Sequence, residues 1–420
     1  MKRHLIGIGG VGMSALATAL VKLGDEVTGA DRNLKTKNIT FLESLGVRCF
    51  PDDGSGVDEA TDEVIVSTAI EETNAGLLKA KEFGIPVTHR AKALARALGG
   101  FRLVAVVGTC GKSTVTAMLG HVLAECGLDP MCVNGANVPG WLGAVRVPSK
   151  LPNLKTSKPP FAVAEVDESD KSLVAFKPYA AIVTNASADH YSKAEMDEVF
   201  DAFIKDCPGP VIDARGETYA PEDFNAQNAS LAIRMAVALG CDESRARAAM
   251  SSFPGVERRL QRYFPFSTST SSLHLLPAVY DDYAHNPEKL RSMWLALKKA
   301  HPGALCAIWR PHGYAPLRKM LDELAKMFCE VMAPEDRLLL LPVYDAGGTT
   351  DRSISSEDLA ERVRGCKGER VKGCVELVGS LDAAYEWTAT HRGEFAAVVT
   401  CGARDPDLPA LACRIAENLV

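Results

Sequence analysis

The sequence predicts an α/β fold built from three successive units, and three observations carry that expectation. Short apolar runs bounded by turn residues alternate with helical stretches along the chain, the pattern of βαβ units on parallel sheets. Two of these runs lead directly into glycine-rich loops, HLIGIGGVGMSALA at 4–17 and VVGTCGKSTVTAML at 106–119. The 420 residues are 47% hydrophobic and 24% charged, an ordinary globular composition with enough length for several domains.

The elements follow in order. RHLIGI (3–8) reads as the first strand, followed by a helix to Leu23, a second strand DEVTGAD (25–31) ending in an acid, a helix KNITFLESLG (37–46) and a strand EVIVSTAI (63–70). ALGGF (97–101) marks a boundary. The second unit has the strand RLVAVVG (102–108), a helix to Cys126, a surface loop VPSKLPNLKTSKPP (147–160), and buried strands PFAVAEVD (160–167) and YAAIVTNAS (179–187). PEDFNAQNASLAIRMAVALG (221–240) is a helix stopped by Gly240. The third unit starts after GVERRLQRYF (255–264), with STSTSS (267–272) as linker or hairpin. Its strands are LPAVYDDYAHNP (276–287), ALCAIWRPH (304–312), RLLLLPVYDAG (337–347) and AAVVTCGA (396–403). The expected domains are 1–98, 99–263 and 264–420.

Composition excludes several classes. A net charge of −6 without a long basic run gives no support to a general nucleic-acid or membrane-surface role. The 12 cysteines form no CxxC pair and no ligand-spaced Cys/His cluster, so reduced thiols in the cytoplasm are expected. No apolar run reaches membrane-spanning length, and no targeting segment is read ahead of the first strand.

The first loop, Gly7-Ile8-Gly9-Gly10-Val11-Gly12, fits GxGxxG, and Asp31 ends the next strand about 20 residues on. Such a loop suits any nucleotide diphosphate, so a nicotinamide dehydrogenase is one hypothesis. The second loop is Gly108, Thr109, Cys110, Gly111, Lys112, Ser113 and Thr114; Val106 stands where the full GxxxxGK[ST] pattern has its first glycine. Its amides would hold β- and γ-phosphates, Lys112 would neutralise the γ-phosphate, and Ser113 or Thr114 would ligate Mg2+. The plainer reading is a glycine turn beside a surface lysine. Two loops in two units suggest two ligands, ATP and a substrate with its own diphosphate, which argues against a dehydrogenase.

GIGGVGMSALA (7–17), VSTAIEETN (66–74), GIPVTHRAKALA (84–95), GTCGKST (108–114), AEVDESD (164–170), VTNASADH (183–190), GVERR (255–259) and DDYAHNP (281–287) occur in that order. Together they resemble the Mur ligases, the ATP-dependent amino-acid ligases of peptidoglycan precursor synthesis. The resemblance implies a Rossmann-like N-terminal domain for the UDP substrate, a P-loop ATPase-like central domain, and a Rossmann-like C-terminal domain for the amino acid. It implies joining of L-alanine to UDP-N-acetylmuramate through an acyl phosphate, with ATP and Mg2+, no nucleic acid or membrane, and no obligate protein partner. A Mur-type ligase for another amino acid or peptide, and a nucleotide-binding protein without ligase activity, are the alternatives.

Residue by residue, Gly9, Gly10, Val11, Gly12, Asp31, Ser67 and Thr68 match the UDP-substrate side. Lys112 matches the γ-phosphate lysine, Ser113 and Glu165 the ligands of one Mg2+, and His190 a second metal ligand. Glu168, Ser169 and Asp170 are either a helix-capping cluster or contacts to the substrate carboxylate. Arg258 and Arg259 are either a solvated pair or, for one of them, a bridge to the γ-phosphate; Arg259 is favoured. Asn225 and Asn228 match the family's HNxxNA adenine segment, with Phe224 in place of its histidine. Asp282, His285 and Asn286 would reach the nucleotide from the third domain. Arg310, His312, Tyr314 and Arg318 in WRPHGYAPLRK belong to the amino-acid side. The stretch between His190 and Asn225 is shorter than the family pattern.

Overall fold

The computed structural model describes residues 1–150, 158–167, 172–186, 193–264, 277–345, 347, 350–365 and 374–418. His190, Glu168, Ser169 and Asp170, and the segment 267–272, lie outside the described residues. The chain packs as two compact units, Met1–Thr218 with Ala226–Val256, and Tyr219–Asn225 with Glu257–Val420.

The first unit holds two sheets. In the first, β1 (Lys2–Ile6), α1 (Val11–Lys22), β2 (Glu26–Asp31), α2 (Lys37–Ser44), β3 (Arg48–Pro51), β4 (Glu63–Val66), α3 (Ala75–Glu82), β5 (Val87–His89) and α4 (Arg90–Leu98) follow in turn. The strand order is β3-β2-β1-β4-β5, all parallel. The central β1 is covered on both faces, and its Leu5 and Ile6 are fully buried. The order reverses between β1 and β4, where a doubly wound sheet opens a crevice at its carboxyl ends.

The second sheet comes from β6 (Arg102–Val107), α5 (Lys112–Glu125), β7 (Met131–Val133), β8 (Val145–Arg146), β9 (Phe161–Glu165), β10 (Ala180–Val183), α6 (Lys193–Ile204), β11 (Val211–Asp213), α7 (Phe224–Ala238) and α8 (Glu243–Ala249). Its order is β11-β10-β6-β9-β7-β8, parallel except for the β7–β8 hairpin. Val104 to Val107 of β6 are fully buried, and the phosphate loop leaves from this central strand.

The second unit has β12 (Gln261–Tyr263), β13 (Ala278–Asp282), α9 (Pro287–Ala300), β14 (Leu305–Trp309), α10 (Tyr314–Val331), β15 (Arg337–Leu340), α11 (Ser356–Arg364), β16 (Val375–Leu377), α12 (Leu381–Thr390), β17 (Ala397–Cys401) and α13 (Leu408–Asn418). The order is β12-β13-β17-β14-β15-β16, parallel except for β12 against β13. Because β12 pairs with β13, residues 261–263 sit in this third sheet, ahead of the expected start at 264.

Several strands stop earlier than the apolar runs suggest. The strand from Glu63 ends at Val66, which puts Ser67 and Thr68 in the following loop; the strand from Ala180 ends at Val183. The residues just beyond β10 are polar: Thr184 still donates its N–H to Val107 at the end of β6, and the side chains of Thr184 and Asn185 bond the phosphate loop at Cys110. The strands the sequence concealed, β3, β5, β7, β8 and β16, have four residues or fewer, too few to show a period. Cys329 is disulfide-bonded, which departs from the expectation of reduced thiols.

Candidate active site

The phosphate loop is held by β10's extension. Gly108 has φ +126 and Gly111 φ +83, values side chains rarely adopt. A Cβ on Gly108 would stand 2.2 Å from Thr184 Oγ1, and one on Gly111 would stand 2.6 Å from Asn228 Oδ1. Asn185 Oδ1 accepts from the Cys110 N–H at 2.9 Å, and Thr184 Oγ1 donates to the Cys110 carbonyl at 2.6 Å. Lys112 opens α5, and its Nζ donates to the Gly108 carbonyl at 2.6 Å, folded over the loop. Thr109, Ser113 and Thr114 are buried. Asn228 is buried against the loop, whereas Asn225, one turn earlier on α7, is exposed.

Glu165 ends β9, in register with Val106 of the adjacent β6, so its carboxylate leaves the sheet beside the start of the phosphate loop. Its Oε2 accepts from the Gly135 N–H at 2.8 Å. Among the described residues no group of three or more His, Cys, Asp or Glu could hold a metal ion. Glu165 offers carboxylate oxygens at this place.

A cavity of about 550 Å³ runs from the first glycine loop to Glu165. Gly10, Val11, Gly12, Asp31 and Ser67 line one side, and Asn134, Gly135, Glu165 and Asp167 another. Gly9 and Thr68 are not among its lining residues. Asp31 faces its own loop: Oδ2 accepts from the Gly9 N–H at 2.9 Å and Oδ1 from the Asn33 N–H at 3.0 Å. A side chain on Gly9 would collide with that carboxylate, its Cβ 2.9 Å from Oδ2. Asn38 Nδ2 donates to the Gly9 carbonyl at 2.8 Å and secures the loop from α2.

In the second unit the two adjacent arginines have separate fates. Arg258 has φ +58, which turns it inward. Its Nε donates to the fully buried Asp281 at 2.9 Å, and its other nitrogens bond the carbonyls of Gly402 and Ala403. Burial pushes the Asp281 carboxyl up to about 6 although Arg258 and Thr400 both donate to it. Arg259 makes no hydrogen bond among the described residues; its guanidinium lies 5.2 Å from the Tyr283 ring centre.

Asp282 accepts from the Leu260 N–H at 2.7 Å and the Ala284 N–H at 2.8 Å, and burial raises its pKa. His285 is held down to about 3 by burial and by Lys289, and its ring meets that of His312 edge to face at 4.8 Å. Asn286 caps α9 by accepting from the Lys289 N–H at 2.9 Å. Arg310 pairs with Asp405, and Arg318 with Asp351.

Among the cavity residues that escaped the sequence reading are Arg90 and Asn134. Arg90 Nη2 pairs with Asp167 Oδ2 at 3.2 Å. Asn134 is 3% exposed and keeps a buried Oδ1 without a hydrogen-bond partner among the described residues. Arg90 had one signal, a cation at the first position of a helix, where the dipole disfavours it. Asn134 follows a three-residue strand and had none.

Comparison with known proteins adds the following. The model described as Mur ligase family, catalytic domain, matches residues 2–102; the Mur ligase middle domain matches 106–205; the Mur ligase, glutamate ligase domain matches 273–404. The UDP-N-acetylmuramate–L-alanine ligase of Burkholderia multivorans is 30% identical over 464 residues, covering 95% of this chain and 94% of that protein. The enzyme of the same name from an Arthrobacter species is 32% identical, covering 86% and 85%. Among solved structures, the UDP-N-acetylmuramate-alanine ligase of Thermotoga maritima superposes with a TM-score of 0.78 at 22% identity, covering 99% of this chain and 98% of that one. A murein peptide ligase of Psychrobacter arcticus gives 0.64 at 20% identity, covering 100% and 98%. At those identities the structural likenesses speak for the fold.

Proposed function

This chain belongs to the Mur ligase family, and from that premise we propose that it is an ATP-dependent, ADP-forming ligase that joins L-alanine to UDP-N-acetylmuramate. The observation that carries the reading is the continuous cavity between the diphosphate-type loop and Glu165, beside the strand that bears the phosphate loop. An acid anchored by a UDP group at Gly10–Gly12 reaches across that cavity toward the γ-phosphate of ATP. Curated relatives of that name at 30–32% identity support the choice of substrates.

In this reading both nucleotides are substrates. An oxygen of the muramate carboxylate attacks the γ-phosphorus, the bond to the β–γ bridging oxygen breaks, and ADP leaves. The amine of L-alanine then attacks the acyl phosphate carbon, the C–O bond to phosphate breaks, and the amine loses a proton. A carboxylate is otherwise a poor electrophile, so the work is positioning and charge neutralisation. Gly108, Thr109, Cys110 and Gly111 present amides to the phosphates, and the cradle is one that a Cβ on either glycine would fill. Lys112 exchanges the Gly108 carbonyl for the γ-phosphate. Asn228 and Asn225 serve the adenine side. Asp282, His285 and Asn286 serve the nucleotide, and Arg259, whose guanidinium makes no hydrogen bond among the described residues, neutralises the transferring phosphoryl group. Arg310 and His312 serve the amino-acid side.

Ser113 and Glu165 would hold a hard cation through their oxygen donors. His190 is proposed as a further ligand. The chemistry a bound Mg2+ supplies there is neutralisation of charge on the phosphates. No helix among the described residues is long and apolar enough to cross a membrane. The dependence on ATP is the ground on which we place the enzyme in the cytoplasm. The test is phosphate release from Mg·ATP and UDP-N-acetylmuramate across a panel of single amino acids. Release that requires both the acid and L-alanine is expected. Release with another amino acid moves the assignment within the family, and none with any of them removes it.

A further inference from the structure

We propose that Arg90 and Asn134 clamp the acidic substrate of this same cavity at two points. The Arg90 guanidinium takes the diphosphate, and the Asn134 carboxamide oxygen takes an N–H or O–H donor of the sugar acid. The inference rests on the ligase reading and assigns the residues that orient its substrate.

Arg90 is the first residue of α4, and the first turns of both α4 and α1 carry no acid. A cation at the positive end of a helix is disfavoured unless an anion joins it. Its Nη1 lies 2.9 Å from where a Cβ on Gly12 would stand. Glycine at 12 therefore makes room for this guanidinium against the loop. Among the described residues the acid paired with Arg90 is Asp167, at 3.2 Å, with the two side chains 28% and 39% exposed. Asp167 holds the fork in place over the loop, and the planar fork has further donors that suit a diphosphate.

Asn134 supplies the second point independently. Its backbone N–H donates to the Ala144 carbonyl at 2.9 Å, and its Nδ2 donates to the Ala136 carbonyl at 3.0 Å. That fixes the carboxamide so that Oδ1 is the atom left over, buried and without a partner among the described residues, in a residue that lines the cavity. A buried acceptor without a donor is costly, and a ligand donor removes the cost. Asn134 adjoins Gly135, which donates to Glu165, so this end of the clamp is beside the reacting end of the site. A substrate held at both points has one orientation, with its acid toward Glu165.

The experiment is calorimetric titration of UDP and of UDP-N-acetylmuramate into the wild-type protein, R90M, R90K and N134A. Binding of a non-hydrolysable ATP analogue serves as the folding control. R90M is expected to weaken both ligands by roughly ten- to a hundredfold, as loss of a charge-assisted contact does, and R90K by less. N134A is expected to weaken UDP-N-acetylmuramate by roughly tenfold and to leave UDP within about twofold. R90M that binds UDP as the wild type does overturns the first point. N134A that weakens UDP and UDP-N-acetylmuramate equally overturns the second. A wild-type protein that binds UDP, yet gains nothing from the muramate and releases no phosphate, removes the ligase reading and the Asn134 point together. The R90M comparison on UDP still decides the Arg90 point.

Discussion

Substituting Gly111 by alanine separates two costs that a phosphate loop normally combines. Gly111 and Gly140 share the same backbone angle, φ +83, but a Cβ on Gly140 meets nothing within 4 Å, whereas one on Gly111 stands 2.6 Å from Asn228 Oδ1. Left-handed backbone costs an alanine about 1–2 kcal/mol at either position. At Gly111 the buried Asn228 must also move by the better part of an ångström, an overpacking cost of about 1–3 kcal/mol more. G140A should therefore lower stability by about 1–2 kcal/mol and leave ATP affinity alone. G111A should lose about 2–5 kcal/mol and displace the loop, so that ATP binds at least tenfold more weakly. Thermal melts and ATP titrations of both variants read these directly. N228A removes the obstructing oxygen, so it should cost less stability in the G111A background than alone, a coupling that a double-mutant cycle measures. Equal effects of G111A and G140A, or strict additivity with N228A, would rule out the steric argument.

The remaining predictions concern charge. K112M should abolish phosphate release, by about a thousandfold or more, with little change in melting temperature, since its amine serves a transferring phosphoryl group. R258M should leave Asp281 buried without its counter-charge and cost about 3–5 kcal/mol of stability. R259M should melt with the wild type and lose activity, and the reverse pattern would exchange the two roles. His4 is fully buried, and burial lowers its pKa from 6.5 to about 4. The unfolded chain therefore binds a proton between those values that the native chain refuses, and stability is lost as pH falls below 6.5. The loss by pH 5 is about 2 kcal/mol. In chemical-denaturation series from pH 7 to pH 5, the loss of stability in H4Q should be smaller than in the wild type by about that amount; His285, also held down by burial, adds a loss of the same sign in both proteins, and Asp281, pushed up by burial, offsets part of it.

The glycine loops were readable because their requirement is local. A positive φ at Gly108 and Gly111, a strand before and a helix after, are properties of consecutive residues. The central strands were readable because burial on both faces leaves an uninterrupted apolar run, as in β1 and β6. Asp31 was legible as an acid at the end of β2, but its orientation was not. Its carboxylate faces the Gly9 and Asn33 amides, a choice made by loop geometry.

By itself the sequence determined the α/β class, the positions of the two loops and the order of the family's motifs, all of which reside in short windows. Only the tertiary structure decided what residues distant in sequence do together. Arg258 and Arg259 are equivalent as text, and a single positive φ at 258 commits one to Asp281 and leaves the other outside that network. Arg90 and Asn134 lie 44 positions apart, one opening α4 after β5 of the first sheet and the other following β7 of the second, and both line one cavity within one compact unit. Burial, hydrogen-bond satisfaction and the direction of a helix dipole are properties of that packing, and no pattern of neighbouring letters encodes them.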